Sequence, residues 1–300
     1  MSNYTYGLPP FTTTTFTSPV SNTNDVITAN FLADFSINGN GGNDTVTTAG
    51  GNDTITTGAG TDLIAAGNGN NTVNAGNGTN TVTSGSGNDT ITTGTGNDKI
   101  TAGDGNNTVT AGDGKNTVTT GSGDDTITTG AGADIVKSGG GADIIKTGGG
   151  NDIIEAGGGN DSINAGEGND RITSGAGIDA ITGGGGHDTF VYASLSEALL
   201  GADTISDFNS SSPSGAGEGD MLNLSGLVAN FSGLRGNFSL QSLVANGYLD
   251  FSGDSSNTVI SFDSNGSAAG GSSGVLVTLV GVPFSTEGAA VLSFADNISV

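Results

Sequence analysis

From residue 39 to residue 191 an apolar side chain returns at every ninth position: Val46, Ile55, Ile64, Val73, Val82, Ile91, Ile100, Val109, Val118, Ile127, Val136, Ile145, Ile154, Ile163, Ile172, Ile181 and Phe190. The residues on either side are polar in most units, and often both are Thr, as in Thr45/Thr47, Thr90/Thr92 and Thr126/Thr128. Neighbouring side chains in a strand point to opposite faces, so each polar-apolar-polar triplet predicts a short strand with its centre inward and its flanks in solvent. The other six residues are glycine-rich and predict a turn. Seventeen such nonapeptides follow one another without insertion or deletion, most reading small-Gly-x-Gly-x-Asp/Asn-x-aliphatic-x, as in Ser84 to Thr92. A fixed short period predicts a solenoid. Two units complete one coil, and alternate strands build two facing parallel sheets whose inward rows interlock. The expected fold is therefore all-β, a parallel β-roll over residues 39–191.

Outside that array the pattern changes. Residues 1–38 are rich in Thr, Asn and Ser, carry Phe11, Phe16, Phe31 and Phe35, and include the repeat-like run Asn24 to Thr28. They are expected to cap the open end of the solenoid, or to form an arm that pairs with another subunit. Beyond Val191, residues 192–300 shift to Leu, Ser, Ala and Phe. Apolar alternation at Tyr248–Phe251, Thr258–Phe262 and Val275–Val282 predicts strands of a β-rich capping domain.

The sixth position carries the chemistry. It is Asp44, Asp53, Asp62, Asp89, Asp98, Asp125, Asp134, Asp143, Asp152, Asp161, Asp170, Asp179 and Asp188 in thirteen units, and Asn71, Asn80, Asn107 and Asn116 in the other four. Units two apart in sequence share one edge of a roll, so these carboxylates stack one coil apart. Neighbouring pairs repel by ~1 kcal/mol even in the dielectric of water. A hard dication between them answers the repulsion, because Ca²⁺ takes six to eight oxygen ligands and glycine turns can present backbone carbonyls beside the carboxylates. No His or Cys cluster favours zinc. Asn keeps a carbonyl ligand but loses the charge, so weaker or absent calcium is expected at its turns, with Asp104 and Asp113 nearby as compensating acids. The two Asn pairs lie 36 residues apart and expose a four-unit super-repeat over residues 48–119.

These nonapeptides resemble the RTX, or hemolysin-type, calcium-binding repeat, Gly-Gly-x-Gly-x-Asp-x-aliphatic-x. The resemblance implies a β-roll with multiple Ca²⁺ ions held in its turns, and places the chain with secreted or cell-surface proteins. The stretches Gly201 to Phe208 and Gly219 to Leu224 resemble the C-terminal target region of type I secretion substrates. That implies export by the type I secretion machinery through an uncleaved C-terminal signal, to whose acidic-then-apolar ending Asp296 to Val300 is similar. Met1 to Phe16 has no basic or apolar signal region and no stretch approaches 18 apolar residues, so neither an N-terminal signal nor a membrane span is expected.

Charge narrows the partners further. Thirty acidic residues against six basic ones give a formal charge of -24, which disfavours nucleic acid and anionic membranes and favours cations. There is no cysteine, so disulfides are excluded. The single His187 has no partner nucleophile or metal constellation, and no enzymatic activity is expected. Ile135, Ile144 and Ile153 occupy outward positions in three consecutive units, which marks contact surfaces. The expected function is a calcium-folded structural protein that assembles as a homo-oligomer or lattice: a surface layer, a filament or an extracellular matrix. The alternative is a binding module, ice-binding or adhesive, that uses the Thr-x-Thr ranks. Against ice binding, Leu63, Ala65, Lys99, Lys137 and Glu155 interrupt those ranks.

Overall fold

The computed structural model describes residues 2–6, 13–17, 23–29, 32–194, 201–210, 219–228, 240–263, 273–282 and 298–299. Phe11, Phe31, Asp296, Asn297 and Val300 lie outside them. The chain divides into two compact units, Met1–Gly149 and Gly150–Val300.

The first unit is a parallel β-roll. Strands alternate between two sheets, so that each pairs with the strand one coil away. Thr90–Thr93 lies between Thr72–Gly76 and Thr108–Thr110 in one sheet, and Lys99–Gly103 lies between Thr81–Ser84 and Thr117–Thr120 in the other. At the apolar centres of the repeat strands the register is eighteen residues, two nonapeptides: Ile91 stands opposite Val109 and Ile100 opposite Val118. Residues before the repeat continue the same winding. Ser2–Tyr6 pairs in parallel with Asp25–Ala29, and Thr13–Thr17 with Asp34–Asn38; these lead into Thr45–Thr48 and Thr54–Thr56.

In the second unit Ile153–Gly158, Arg171–Ala176, Thr189–Val191, Met221–Asn223 and Ile298–Ser299 form one parallel series. Ser162–Glu167, Ala180–Gly185, Asp203–Ile205 and Ser273–Val280 form a second. Onto the last strand Asn257–Asp263 and then Leu249–Gly253 add antiparallel, so the three strands predicted from apolar alternation form an up-and-down extension of the coil sheet. Two short helices, Ser225–Val228 and Leu240–Ala245, were not predicted; at four and six residues they are too short to show a helical period. No helix among the described residues is long and apolar enough to cross a membrane.

All seventeen eighth-position side chains are at most 2% exposed, so the predicted single apolar row exists. The interior is wider than that row, however. Inward facing repeats every two residues, and most strands run on past the triplet, so the first position of the next unit also points inward. It is filled by small side chains such as Ala66, Ala75, Ala102 and Ala111, or by Thr48, Thr57, Ser84 and Thr93, all buried. Only small residues fit where the two sheets converge on the turn. Each hydroxyl there finds a backbone carbonyl one coil on, as Thr48 Oγ1 donates to Ala66 O at 2.6 Å and Ser84 Oγ to Ala102 O at 2.7 Å.

The turns stack as closely as the strands. Gly78 has φ +127°, and a Cβ there would run into the carbonyl oxygen of Gly60 one coil earlier. On the outside of the turns a ladder of fifth-position side chains ties coil to coil. Asn43 Oδ1 accepts the N–H of Thr61, Asn52 that of Asn70, Asn70 that of Asn88 and Asn88 that of Asn106, at 2.7–2.9 Å.

Removing one row member tests this core. Ile91→Ala is expected to destabilise the calcium-loaded protein by ~2–5 kcal/mol in chemical denaturation, and the adjacent Thr90→Ala by under ~1 kcal/mol. Equal losses would contradict the assignment of inward and outward faces.

Candidate metal centre

The inward alternation that buries positions eight and one also buries position six. All thirteen Asp and all four Asn side chains there are at most 2% exposed, so they sit at the edge of the interior and not on a solvated turn. Sequence reasoning located them in the turn but missed the burial, which follows from counting back two residues from the apolar centre.

The sixth-position side chains share a structural task. Oδ1 accepts a backbone N–H one coil earlier, that of another sixth-position residue within the array, as Asp62 from Asp44 at 2.8 Å, Asp98 from Asn80 at 2.7 Å and Asp125 from Asn107 at 2.7 Å, and that of Asp25 or Phe35 at its start, for Asp44 and Asp53 at 2.9 and 2.8 Å. In the second unit Asp170 accepts from Asp152 and Asp188 from Asp170, at 2.8 and 2.9 Å. The ladder thus brings sixth-position residues two units apart together along one edge, as the period requires, and keeps consecutive units on opposite edges.

The second oxygen is different. Oδ2 of Asp44, Asp53, Asp62, Asp89, Asp98, Asp125, Asp170, Asp179 and Asp188 is buried and meets no hydrogen-bond donor. Hydroxyls at position one stand beside several of these carboxyls and moderate their pKa, Thr48 beside Asp53 and Thr93 beside Asp98 among them. Their single proton is already committed to the carbonyl of the next coil, as Thr48 and Thr93 show. A buried carboxylate oxygen without a donor costs several kcal/mol unless it is protonated or meets a cation.

The Asn units show what surrounds that oxygen. With Oδ1 on the same N–H ladder, the Asn71 amide turns its Nδ2 onto Gly67 O at 3.3 Å and Gly69 O at 3.0 Å. Asn80, Asn107 and Asn116 repeat the arrangement on the carbonyls of Gly76 and Gly78, Gly103 and Gly105, and Gly112 and Gly114. The corner therefore gathers two backbone carbonyl oxygens around the atom that in an Asp unit is itself an oxygen. Among the described residues no three His, Cys, Asp or Glu side chains converge, so a cation at such a corner takes carbonyl as well as carboxylate oxygens. That donor set suits a hard, oxygen-seeking ion and offers nothing to a thiophilic one.

Electrostatics agree with this reading. Burial, with a smaller push from Asp62, raises the Asp44 carboxyl to about 6 against the pull of the Asp25 N–H. Burial raises Asp170 to about 7, with Asp152 and Asp188 adding to the rise. The ladder also continues where sequence spacing hid it. Asp203 Oδ1 accepts the N–H of Asp179 at 2.9 Å and Asp220 Oδ1 that of Asp188 at 3.0 Å, separations of 24 and 32 residues that break the period. At these ends the second oxygen is supplied from within the protein: Asp203 Oδ2 by Ser174 Oγ at 3.2 Å, and Asp220 Oδ2 by Asn209 N–H at 2.8 Å. The runs Gly-x-Asp-x-aliphatic at Gly201 to Ile205 and Gly-Asp-x-aliphatic at Gly219 to Leu222 were the available signal.

Other acids are placed elsewhere. Asp104 and Asp113 are surface groups that accept the N–H of Ser122 and Ala131 one coil on, at 2.9 and 2.8 Å, and the Ser122 N–H holds the Asp104 carboxyl below its usual range. Neither bonds at the Asn corners. His187 lies on a turn with Nδ1 3.0 Å from Gly219 O, which assigns the proton to Nδ1.

A parallel β-roll whose corners pair buried carboxylates with glycine-turn carbonyls is a calcium-binding solenoid. The chain belongs to the family of the RTX calcium-binding nonapeptide repeat, whose four-copy profile matches residues 38–73, 56–91, 74–109, 83–118, 110–145, 137–172, 146–181 and 165–194, an unbroken run over half of the sequence. Among solved structures it is similar to the solution structure of the AlgE6R3 subunit from the Azotobacter vinelandii mannuronan C5-epimerase, at 28% identity over 56% of this chain and 73% of that one, with a TM-score of 0.28. No curated protein matches it.

The raised carboxyls set a pH dependence for the metal-free protein. Unfolded Asp ionises near 4, whereas Asp44 and Asp170 in the fold resist ionisation up to about 6 and 7. Their protonated forms therefore favour the fold, and this support is lost as pH rises through the window from about 4 to about 7. In calcium-free buffer the β signal and thermal midpoint are expected to be higher at pH 4.5 than at pH 7.5. A midpoint that rises with pH across that window would overturn the assignment.

Proposed function

We propose that this chain is a secreted calcium-binding structural protein, exported unfolded by type I secretion machinery, that coils on meeting calcium outside the cell and then self-assembles. The observation that carries the reading is the row of buried carboxylate oxygens without donors. With calcium scarce, as in a cytoplasm, those oxygens oppose burial and the 56 glycines add a large entropic cost, so the chain stays threadable. Where calcium is abundant, binding and folding become one equilibrium, with stability growing as RT ln(1 + [L]/Kd) for each independent site. The thirteen sixth-position Asp residues, Asp44 through Asp188, are the proposed ligands, together with the second- and fourth-position turn carbonyls. Residues 192–300 are the proposed export and capping region, on the resemblance of Gly201 to Phe208 and Gly219 to Leu224.

Assembly as a surface layer, filament or matrix is supported by apolar side chains on outward faces. Ile135 and Ile144 are 36% and 46% exposed in the first unit, and Ile153 is 38% exposed in the second. Outward aliphatics on a sheet are costly in water and fit a partner surface. A second copy of the same chain is the simplest such partner.

Purified protein is expected to give a disordered far-UV circular dichroism spectrum in chelator and a β spectrum in millimolar calcium, with light scattering then showing large assemblies. Ile135→Thr together with Ile144→Thr is expected to keep the β spectrum and lose the assemblies. Identical spectra with and without calcium would remove the folding mechanism, and a wild-type monomer at high protein and calcium would remove self-assembly.

One observation favours the ice-binding alternative. In the first unit Leu63, Ala65, Lys99 and Lys137 interrupt the Thr ranks on one sheet, and Asn74, Ile144 and Lys146 interrupt them on the other. The other sheet presents Thr54, Thr72, Thr90, Thr108 and Thr126 in one unbroken rank, with Thr56, Asn74, Thr92, Thr110 and Thr128 beside it. Such a face repeats every ~4.8 Å and can order water regularly. If this reading holds, the calcium-loaded protein inhibits ice recrystallisation and Thr90→Tyr abolishes the effect; an inactive wild type disposes of it.

A further inference from the structure

The four Asn corners are distinguished by more than the loss of a charge. Each begins with Ala at position one: Ala66 with Asn71, Ala75 with Asn80, Ala102 with Asn107 and Ala111 with Asn116. Nine of the thirteen Asp units have Ser or Thr there, and the rest have Gly39, Ala156, Ala165 or Gly183. The orientation of each Asn amide is fixed from both sides. Its Oδ1 must face the N–H of the preceding coil, as Asn80 faces Asp62 at 3.1 Å and Asn116 faces Asp98 at 3.0 Å. Its Nδ2 then meets two glycine carbonyls at 2.9–3.3 Å. An amide NH₂ has two protons to give and receives two acceptors, so every polar group of the corner is satisfied without a cation.

The distribution of these corners is regular. Along one edge of the first unit the ladder runs Asp62, Asn80, Asp98, Asn116, Asp134, and along the other Asp53, Asn71, Asp89, Asn107, Asp125. No two Asn are neighbours on an edge, and both Asp89 and Asp98 have Asn on either side. The substitution therefore removes every carboxylate–carboxylate neighbour from this stretch. Elsewhere such neighbours persist, as between Asp44 and Asp62, Asp125 and Asp143, and Asp170 and Asp188.

We propose that Asn71, Asn80, Asn107 and Asn116 are amide-closed corners in which the side-chain NH₂ stands where an Asp corner takes calcium, so that residues 66–119 bind calcium only at alternate corners of each edge. This rests on the proposed binding of calcium at the Asp corners. It divides the repeat array into a central stretch of low calcium demand and flanking stretches of high demand. In a calcium titration the central stretch retains its coils at the lowest free calcium, and gives the flanking coils a formed edge on which to add.

Interconversion of the two corner types in the full chain tests the proposal. Asp98→Asn with Thr93→Ala makes an amide-closed corner; it is expected to bind at least one calcium ion fewer in native mass spectrometry, to keep its β spectrum, and to fold at a lower calcium midpoint. Asn80→Asp with Ala75→Thr makes an acid corner, with at least one ion more and a higher midpoint. Hydrogen exchange at low calcium is expected to show peptides from residues 66–119 protected before those from 120–149. Unchanged ion counts in both variants, with the wild type still folding on calcium, would overturn this inference alone, as would uniform protection along the array. A wild type that binds no calcium would overturn both it and the reading beneath it.

Discussion

A carboxylate oxygen turned into a protein interior with no donor in reach is the constraint on which the rest of this structure depends. One oxygen of sixth-position residues such as Asp62 and Asp170 is well used, since it accepts the N–H of the coil before and so splices one coil to the next. The other is buried, at the position where the Asn units show two glycine carbonyls gathered. The fold thus contains a repeated electrostatic fault that a proton, a hydrogen-bond donor or a cation can mend. Burial lifts the carboxyls toward protonation, four Asn units supply an amide, and the oxygen-only surroundings of the remaining corners suit calcium. Periodicity multiplies the effect: a single such corner would be a local defect, whereas the nine with a donor-less oxygen, repeated along the array, support the proposed dependence of the fold on the ion.

The same arrangement explains why the interior is so sparing. A coil of two nonapeptides buries two aliphatic side chains and two small ones, far less than an ordinary domain of this length. Glycine at the turns lets the coils stack without collision, as at Gly78, but makes the unfolded chain more disordered and the fold harder to reach. Coils held by so thin a hydrophobic row leave cation binding with a large share of the stabilisation to supply. The N-terminal strands Ser2–Tyr6 and Thr13–Thr17, and the antiparallel strands Leu249–Gly253 and Asn257–Asp263, then extend the sheets at either end of the sequence without adding corners of the Asp type.

Much of this was legible in the amino acids because a nine-residue period transmits its meaning unchanged. Once Ile91 is assigned inward, Thr90 and Thr92 are outward and the partner of Ile91 must be Val109. What escaped was whatever the period did not contain. The burial of position six followed from alternation, yet the abundance of Asp, Asn and Gly there led only as far as a turn and left the face unassigned. Asp203 and Asp220 continue the ladder across gaps of 24 and 32 residues, which a search at fixed spacing passes over. The helices Ser225–Val228 and Leu240–Ala245 are shorter than two helical turns, too brief for any periodic signal. The placing of Leu63, Ala65, Lys99 and Lys137 on one sheet needed only the parity of the units, but it becomes meaningful when the other face is seen to carry Thr at five successive coils from Thr54 to Thr126.

The two ends of the acid ladder show how such a device is closed. A row that simply stopped would leave its last carboxylate both buried and unanswered. Instead Asp203 receives the hydroxyl of Ser174 and Asp220 the N–H of Asn209, so each terminal member is satisfied by the chain itself. The acidic corner is therefore not intrinsically a metal ligand. In the proposed function it serves as one where the local backbone offers carbonyls and withholds donors, and it is a structural bond where a hydroxyl, an amide or an N–H is supplied. Choosing between those outcomes takes one or two residues per unit, which gives a repetitive sequence a means of setting, coil by coil, how strongly its shape depends on the ion.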